Sequence, residues 1–240
     1  MLSREFIKKI AVKQQTTEFN VKREYFQNLF LSNLYRHPDS NKIMFKGGTA
    51  LKIIHSSPRF SEDLDFSSSI KSISVIENIL LETIVGIERE GLKIKIEEAK
   101  KTSGGYLANL SFSWDKESVE IQLEISLREK KIKGEVTTIF NDFVPAYILV
   151  QLEEKKIIKE KIKSLLTRQK PRDFYDVYFM LRSGLISPRE RKILPKILNS
   201  LKNYPGSFDK ELKQFLPKNH WPLIKNFGVS LERELKRFII

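Results

Sequence analysis

Three stretches of alternating side chains, separated by turn signals, limit the folds open to this chain more than any other feature. Leu92-Lys93-Ile94-Lys95-Ile96, Tyr106-Leu107-Ala108-Asn109-Leu110 and Val119-Glu120-Ile121-Gln122-Leu123-Glu124-Ile125 alternate, or nearly so, between apolar and polar residues. A period of two sends one set of side chains to a core and the other away from it, which predicts three strands. Gly104-Gly105 and Trp114-Asp115-Lys116 supply the turns between them. Two shorter strands are expected upstream. Ile43-Met44-Phe45 leads into Gly47, and Leu64 and Phe66 alternate with Asp63 and Asp65.

Much of the remaining chain has helical spacing. In residues 3–36 Phe19, Phe26, Phe30 and Leu34 fall near one face, and His37-Pro38-Asp39 ends the run. Residues 72–90 return to helix, and from about 151 onward the pattern is helical, punctuated at Pro171, Pro188, Pro205, Pro217 and Pro222. The prediction is an α+β core with N-terminal helices over residues 1–145, then a helical region over 146–240, with the boundary near Pro145.

A chain of 240 residues can bury roughly 70% or more of its unfolded surface, so it needs no covalent staple. It has no Cys, which excludes thiol nucleophiles, thiolate zinc sites and a disulfide framework. His37, His55 and His220 are too scattered to suggest a histidine metal cluster. The start, MLSREFIKKIAVKQQ, lacks the uninterrupted apolar segment of a secretory signal. The stretch from Phe143 to Leu152 is broken by Pro145 and Gln151 and is much shorter than the roughly 20 residues a bilayer requires. A soluble, cytoplasmic protein without a membrane partner is expected.

Charge is unevenly placed. Residues 1–150 hold 22 basic and 20 acidic side chains, whereas residues 151–240 hold 21 basic and 10 acidic. A surplus of this kind attracts polyanions, nucleic acid first among them. The other reading is a set of well-solvated helices.

Asp63 and Asp65 stand two apart in an expected strand, so their carboxylates emerge on one face while Leu64 and Phe66 point to the core. Glu124 lies on the polar face of the last alternating strand and completes a triad if the two strands are neighbours. Repulsion would raise one carboxylate pKa, and a divalent cation removes that penalty. Three carboxylates around Mg²⁺ suit phosphoryl or nucleotidyl transfer; a polar strand face turned to water is the alternative. Lys46-Gly47-Gly48-Thr49 occupies the preceding strand-to-helix junction, where glycines allow close approach of a phosphate and Thr49 adds a hydroxyl. Arg59, just before Asp63, could steady a phosphate or pair with Glu62.

A second cluster follows. Lys161, Ser164 and Arg168 share one side of a helix whose buried stripe is Ile158, Ile162 and Leu165, placing Lys161 at the edge of a core where it can reach into a cleft. Pro171-Arg172-Asp173 starts another helix with Phe174, Val177, Tyr178 and Leu181 as its buried stripe. Arg172, Asp173 and Asp176 fit a helix start, with Arg172 and Asp176 paired at i, i+4. The functional reading makes Lys161 a triphosphate contact and Asp173 or Asp176 an orienting or base residue.

Taken together, K-G-G-T-A-L at 46–51, R-F-S-E-D-L-D-F at 59–66, E-K-I-K-S-L-L-T-R at 160–168 and R-D-F-Y-D at 172–176 resemble the AbiEii/AbiGii nucleotidyltransferase toxin family, within the polymerase-β-like nucleotidyltransferase superfamily. The resemblance spans about residues 43–182 and implies a nucleotidyltransferase-like mixed sheet with flanking helices and a C-terminal helical region. It implies an Mg²⁺-dependent enzyme of EC 2.7.7 type that uses a nucleoside triphosphate, paired with a cognate antitoxin in a toxin–antitoxin or abortive-infection system. Some relatives add nucleotides to the 3′ end of tRNA, so tRNA or another RNA is the expected substrate. By this resemblance Asp63 and Asp65 bind metal, Gly48 and Thr49 hold the triphosphate and Lys161 falls on the motif lysine; Glu124 is assigned to the metal by its strand position, and Lys46, Gly47 and Arg168 are added to the nucleotide contacts from the residue reading. Catalysis is assigned to the three metal carboxylates with Lys161, Asp173 and Asp176. Two other functions stay open: transfer to a protein or small-molecule hydroxyl, and a non-catalytic nucleotide- or RNA-binding module.

Overall fold

The structure, a computed structural model, describes residues 2–129 and 132–239. Its elements form two compact units: residues up to Ser56 with Phe60–Glu153, and Ser57–Arg59 with residues from Glu154 onward.

The first unit is a mixed sheet of seven strands in the order β3-β4-β5-β2-β1-β7-β6. The strands are β1 Ile43–Lys46, β2 Leu64–Ser68, β3 Ile94–Thr102, β4 Gly105–Trp114, β5 Glu117–Ser126, β6 Gly134–Ile139 and β7 Tyr147–Leu152. The three alternating stretches form an antiparallel meander, β3 to β5. On β5, Val119, Ile121, Leu123 and Ile125 are all buried while Glu120 and Glu124 are exposed. Parallel pairing of β5 with β2, and antiparallel pairing of β2 with β1, brings the two carboxylate strands side by side.

Strands β6 and β7 correct the expectation that the sheet ends before Pro145. β7 lies parallel to β1 through the pair Phe45 and Gln151. The Tyr35 hydroxyl lies 2.7 Å from the Ile43 carbonyl and 2.9 Å from that of Val150, tying the same two strands. The sheet therefore runs to Leu152, and the compact units divide after Glu153 rather than at residue 145.

Helices α1 (Arg4–Lys13), α2 (Glu18–Leu34) and α4 (Ile73–Arg89) start at Ser3, Thr17 and Ser72, whose hydroxyls each accept a backbone N–H two or three residues into the helix. α2 packs against α4, β5 and β7, and is buried on more than one face. Phe26 and Phe30 enter the core, with Phe26 stacked 4.8 Å from Phe112, but Phe19 stays 45% exposed. Short α3 (Gly47–Ile53) connects β1 toward β2.

The second unit is helical: α5 Glu154–Arg168, α6 Pro171–Arg182, α7 Leu194–Lys202, α8 Asp209–Phe215, α9 Trp221–Lys225 and α10 Phe227–Phe238. The expected stripes of α5 and α6 are buried. Phe174 meets Phe208 edge-on at 5.5 Å, and Phe208 meets Phe227 at 5.0 Å, giving this unit its own aromatic core. Among the described residues no helix is long and apolar enough to cross a membrane.

Candidate active site

Sheet register builds the site in the first unit. Lys46 on β1 is the partner of Asp65 on β2, and Asp65 is the partner of Glu124 on β5. The three residues form one row across adjacent strands and line a common cavity of about 360 Å³. Leu64 and Phe66, buried at 0% and 1% exposure, fix the phase of β2 so that Asp65 faces away from the core.

Gly47 follows immediately. Its φ is +88°, a conformation that favours glycine, and a Cβ built on it would strike the Asp65 carboxylate, with Asp65 Cβ and Cγ at 2.8 Å. The glycine turn and the Asp65 carboxylate are thus in contact. Gly48 is buried beside it.

Thr49 departs from expectation. It is fully buried, and its hydroxyl donates to the backbone carbonyl of Asp63. In this conformation the hydroxyl ties α3 to the entrance of β2 and is not presented to a phosphate. Asp63 itself lies one residue before β2, is half-buried, and is not among the residues lining the cavity. The Arg23 guanidinium lies 3.4 Å from Glu62; burial lowers its pKa, and the charges of Glu62 and Asp63 offset only part of that. Glu62 therefore pairs with Arg23, and the expected alternative of an Arg59–Glu62 pair is set aside. Glu124 is exposed and accepts the Gln122 amide at 2.8 Å.

The cavity also contains Arg128, which the sequence did not single out. Its side chain rests on Gly104, where any Cβ would collide with the guanidinium. The Gly104-Gly105 pair, read only as a turn, was the available signal.

The second cluster belongs wholly to the other unit and is built differently. Asp176 is buried at 1% exposure; it accepts Arg59 Nε at 2.7 Å and Nη2 at 3.0 Å, and Lys161 Nζ at 2.8 Å. Burial works against its ionisation, and the charges and hydrogen bonds of Arg59 and Lys161 outweigh that, holding its pKa below the ordinary carboxylate value. Asp176 is thus a clamped anion rather than an available base, and Lys161 reaches this carboxylate instead of an open cleft. Asp173, fully buried, accepts the Lys170 backbone N–H at 3.1 Å and the Arg168 guanidinium at 2.8 and 2.6 Å. It caps α6, as the helix-start reading anticipated. The expected Arg172–Asp176 pair is replaced, because Arg172 lies against Glu211 at 3.4 Å.

The AbiEii nucleotidyl transferase toxin model, of Type IV toxin–antitoxin systems, matches residues 29–227. The chain belongs to this family. Its fold is similar to that of JHP933 from Helicobacter pylori, with a TM-score of 0.64 and 20% identity over 92% of each chain. It is also similar to a candidate nucleotidyltransferase of H. pylori, with a TM-score of 0.58 and 22% identity over 92% of this chain and 95% of that one. No curated protein matches. Membership makes the chain a toxin-like nucleotidyltransferase and implies an antitoxin partner.

Among the described residues no three His, Cys, Asp or Glu side chains gather as a ready metal cage. Two carboxylates in register, Asp65 and Glu124, nevertheless fit Mg²⁺, which is usually bound through one or two carboxylates plus water and substrate phosphates.

Proposed function

We propose that the chain transfers a nucleoside monophosphate from a nucleoside triphosphate to an RNA hydroxyl, the 3′ end of tRNA being the acceptor, as a magnesium-dependent enzyme of a toxin–antitoxin system; the hydroxyl oxygen bonds to the α-phosphorus as the α–β phosphoanhydride breaks, and pyrophosphate and the hydroxyl proton leave. One observation carries this reading: Lys46, Asp65 and Glu124 line a single cavity, with Gly47 pressed against the Asp65 carboxylate.

In this reading Asp65 and Glu124 hold the cation, and Asp63 joins them by the family resemblance. Bound Mg²⁺ would neutralise the triphosphate and favour the alkoxide of the attacking hydroxyl. Lys46 and Arg128 supply fixed positive charge to the phosphates, and the bare Gly47 backbone leaves room for them. Lys161 and Arg59 clamp the Asp176 carboxylate within the helical unit, a structural role. Cations of residues 151–240 contact the RNA backbone without reading its sequence.

Incubation with each α-labelled nucleoside triphosphate, Mg²⁺ and total cell extract tests this. An RNase-sensitive labelled product that disappears in Asp65→Ala is expected. Full transfer by Asp65→Ala overturns the reading. A protease-sensitive product moves the acceptor to protein, and salt-sensitive RNA binding without label transfer reduces the chain to a binding module.

A further inference from the structure

α3 starts at Gly47, beside the Asp65 carboxylate, and ends at Ile53. At about 1.5 Å per residue its ends lie about 10 Å apart. Beyond its far end is a second cavity of about 280 Å³ in the same unit, whose lining includes Gln14, Glu24, Lys52, Phe140 and Asn141.

These residues carry hydrogen-bonding capacity that the protein does not use. Gln14 Oε1, Glu24 Oε2 and Asn141 Nδ2 are each withdrawn from solvent and have no hydrogen-bond partner. Native proteins rarely leave such atoms unpaired, so three among the residues around one cavity call for a ligand or a role. The Asn141 orientation is fixed: its Oδ1 accepts the backbone N–H of Phe143 at 2.8 Å and of Val144 at 2.9 Å, which leaves the amide nitrogen as the spare donor. Lys52 Nζ makes a long ion pair with Glu24 Oε1 at 3.8 Å and lies over the Phe60 ring at 4.2 Å, which leaves Glu24 Oε2 without a hydrogen bond.

Phe140, in contrast, is 80% exposed. A lone water would answer the unpaired atoms and leave that ring in solvent. A planar heterocycle answers both, because it has donors and acceptors along its edge and a π face for an aromatic side chain. Unpaired RNA bases are recognised in this way, by stacking and by side-chain hydrogen bonds.

We propose that this cavity holds an unpaired nucleobase of the RNA acceptor, with Glu24, Gln14 and Asn141 toward its edge and Phe140 on its face. The inference rests on the RNA-acceptor reading above and adds a place where that acceptor is gripped. Asn28 lies on the same wall, but its amide is already engaged, donating to the Glu24 carbonyl at 2.8 Å and accepting from the Tyr147 hydroxyl at 2.9 Å.

The test is fluorescence anisotropy of the full chain, without nucleoside triphosphate, against short labelled homo-oligonucleotides of A, C, G and U. Phe140→Ala is expected to weaken every oligonucleotide by about tenfold, since it removes a stacking face. Phe140→Leu, which keeps apolar bulk, should weaken them as well. Glu24→Gln keeps size and exchanges an acceptor for an amide, so it should reorder the four affinities. Unchanged thermal unfolding of the Phe140 variants verifies the fold. Wild-type affinity and ranking in these variants, or no oligonucleotide binding by the parent chain, overturns the proposal. Label transfer to RNA is scored separately: Phe140-dependent binding with no transfer supports the cavity and sinks the acceptor reading, whereas transfer with Phe140-independent binding does the reverse.

Discussion

At the scale of the residue, Gly47 and Asp176 make opposite demands. Gly47 must lack a side chain because its φ of +88° and the adjacent Asp65 carboxylate both exclude a Cβ. Gly47→Ala should cost about 1–3 kcal/mol of stability through strain and, by displacing Asp65, lower label transfer by about 100-fold. Gly91 is the internal control, having φ +86° but nothing within 4 Å of a built Cβ. Gly91→Ala should share the strain in thermal unfolding yet retain transfer. Asp176 needs its charge. Removing it leaves Arg59 and Lys161 facing each other in a buried site, so Asp176→Asn should destabilise by about 3–5 kcal/mol in urea unfolding. Its folded pKa is depressed, so the unfolded chain binds the proton more readily. The stabilisation is therefore complete above the unfolded value of about 3.9 and is lost as pH falls through the lower folded value. Urea midpoints taken from pH 6 downward should show this acid loss in the parent and a smaller one in Asp176→Asn; equal losses would assign the titration elsewhere.

Among the elements, α6 shows how a catalytic-looking acid can be a structural one. Asp173 caps the helix through the Lys170 N–H and receives Arg168. Asp173→Ala should lose about 1 kcal/mol more than Asp173→Asn, because the amide oxygen keeps the cap, and transfer per folded molecule should survive in Asp173→Asn. A collapse of transfer without loss of stability would restore Asp173 to the chemistry. The sequence made both roles of this residue visible but could not choose, since the deciding partners come from tertiary packing. Arg59 illustrates this most clearly, for its partner Asp176 lies 117 positions away. Strands were legible where one face is buried: β4 and β5 alternate in burial, β2 does so from Leu64 to Phe66, and Asp65 and Glu124 are register partners. β6 and β7 were not. β7 is buried alternately, but its outward residues Ile148 and Val150 are apolar too, so its sequence does not alternate, and β6 is a sheet edge with Glu135 and Val136 both exposed; neither sequence carries the period that marks a half-buried strand. Thr49 shows the same limit, because a hydroxyl beside glycines reads the same in sequence whether it meets phosphate or, as in this conformation, a backbone carbonyl.

Across the whole molecule, the division of the chain and the division of charge nearly coincide. The helical unit takes in nearly all of residues 151–240, which hold 21 of the 43 basic side chains and 10 of the 30 acidic ones. If that surplus serves RNA, it acts by releasing counterions from phosphates, and affinity must then fall steeply with salt. Lys159 and Lys163, one turn apart and exposed on α5, suit a test because neither belongs to the Arg59–Asp176–Lys161 network. Replacing both by Glu should leave the melting temperature nearly unchanged and weaken tRNA binding. The slope of log affinity against log salt should become shallower by about one for each phosphate contact removed. If the surplus instead receives an acidic antitoxin, the same double variant will bind tRNA with the parent's salt slope and lose affinity for the antitoxin, and label transfer will be indifferent to the substitutions. Titrating parent and variant with tRNA at several salt concentrations therefore separates a substrate-binding field from a partner-binding one without relying on catalysis.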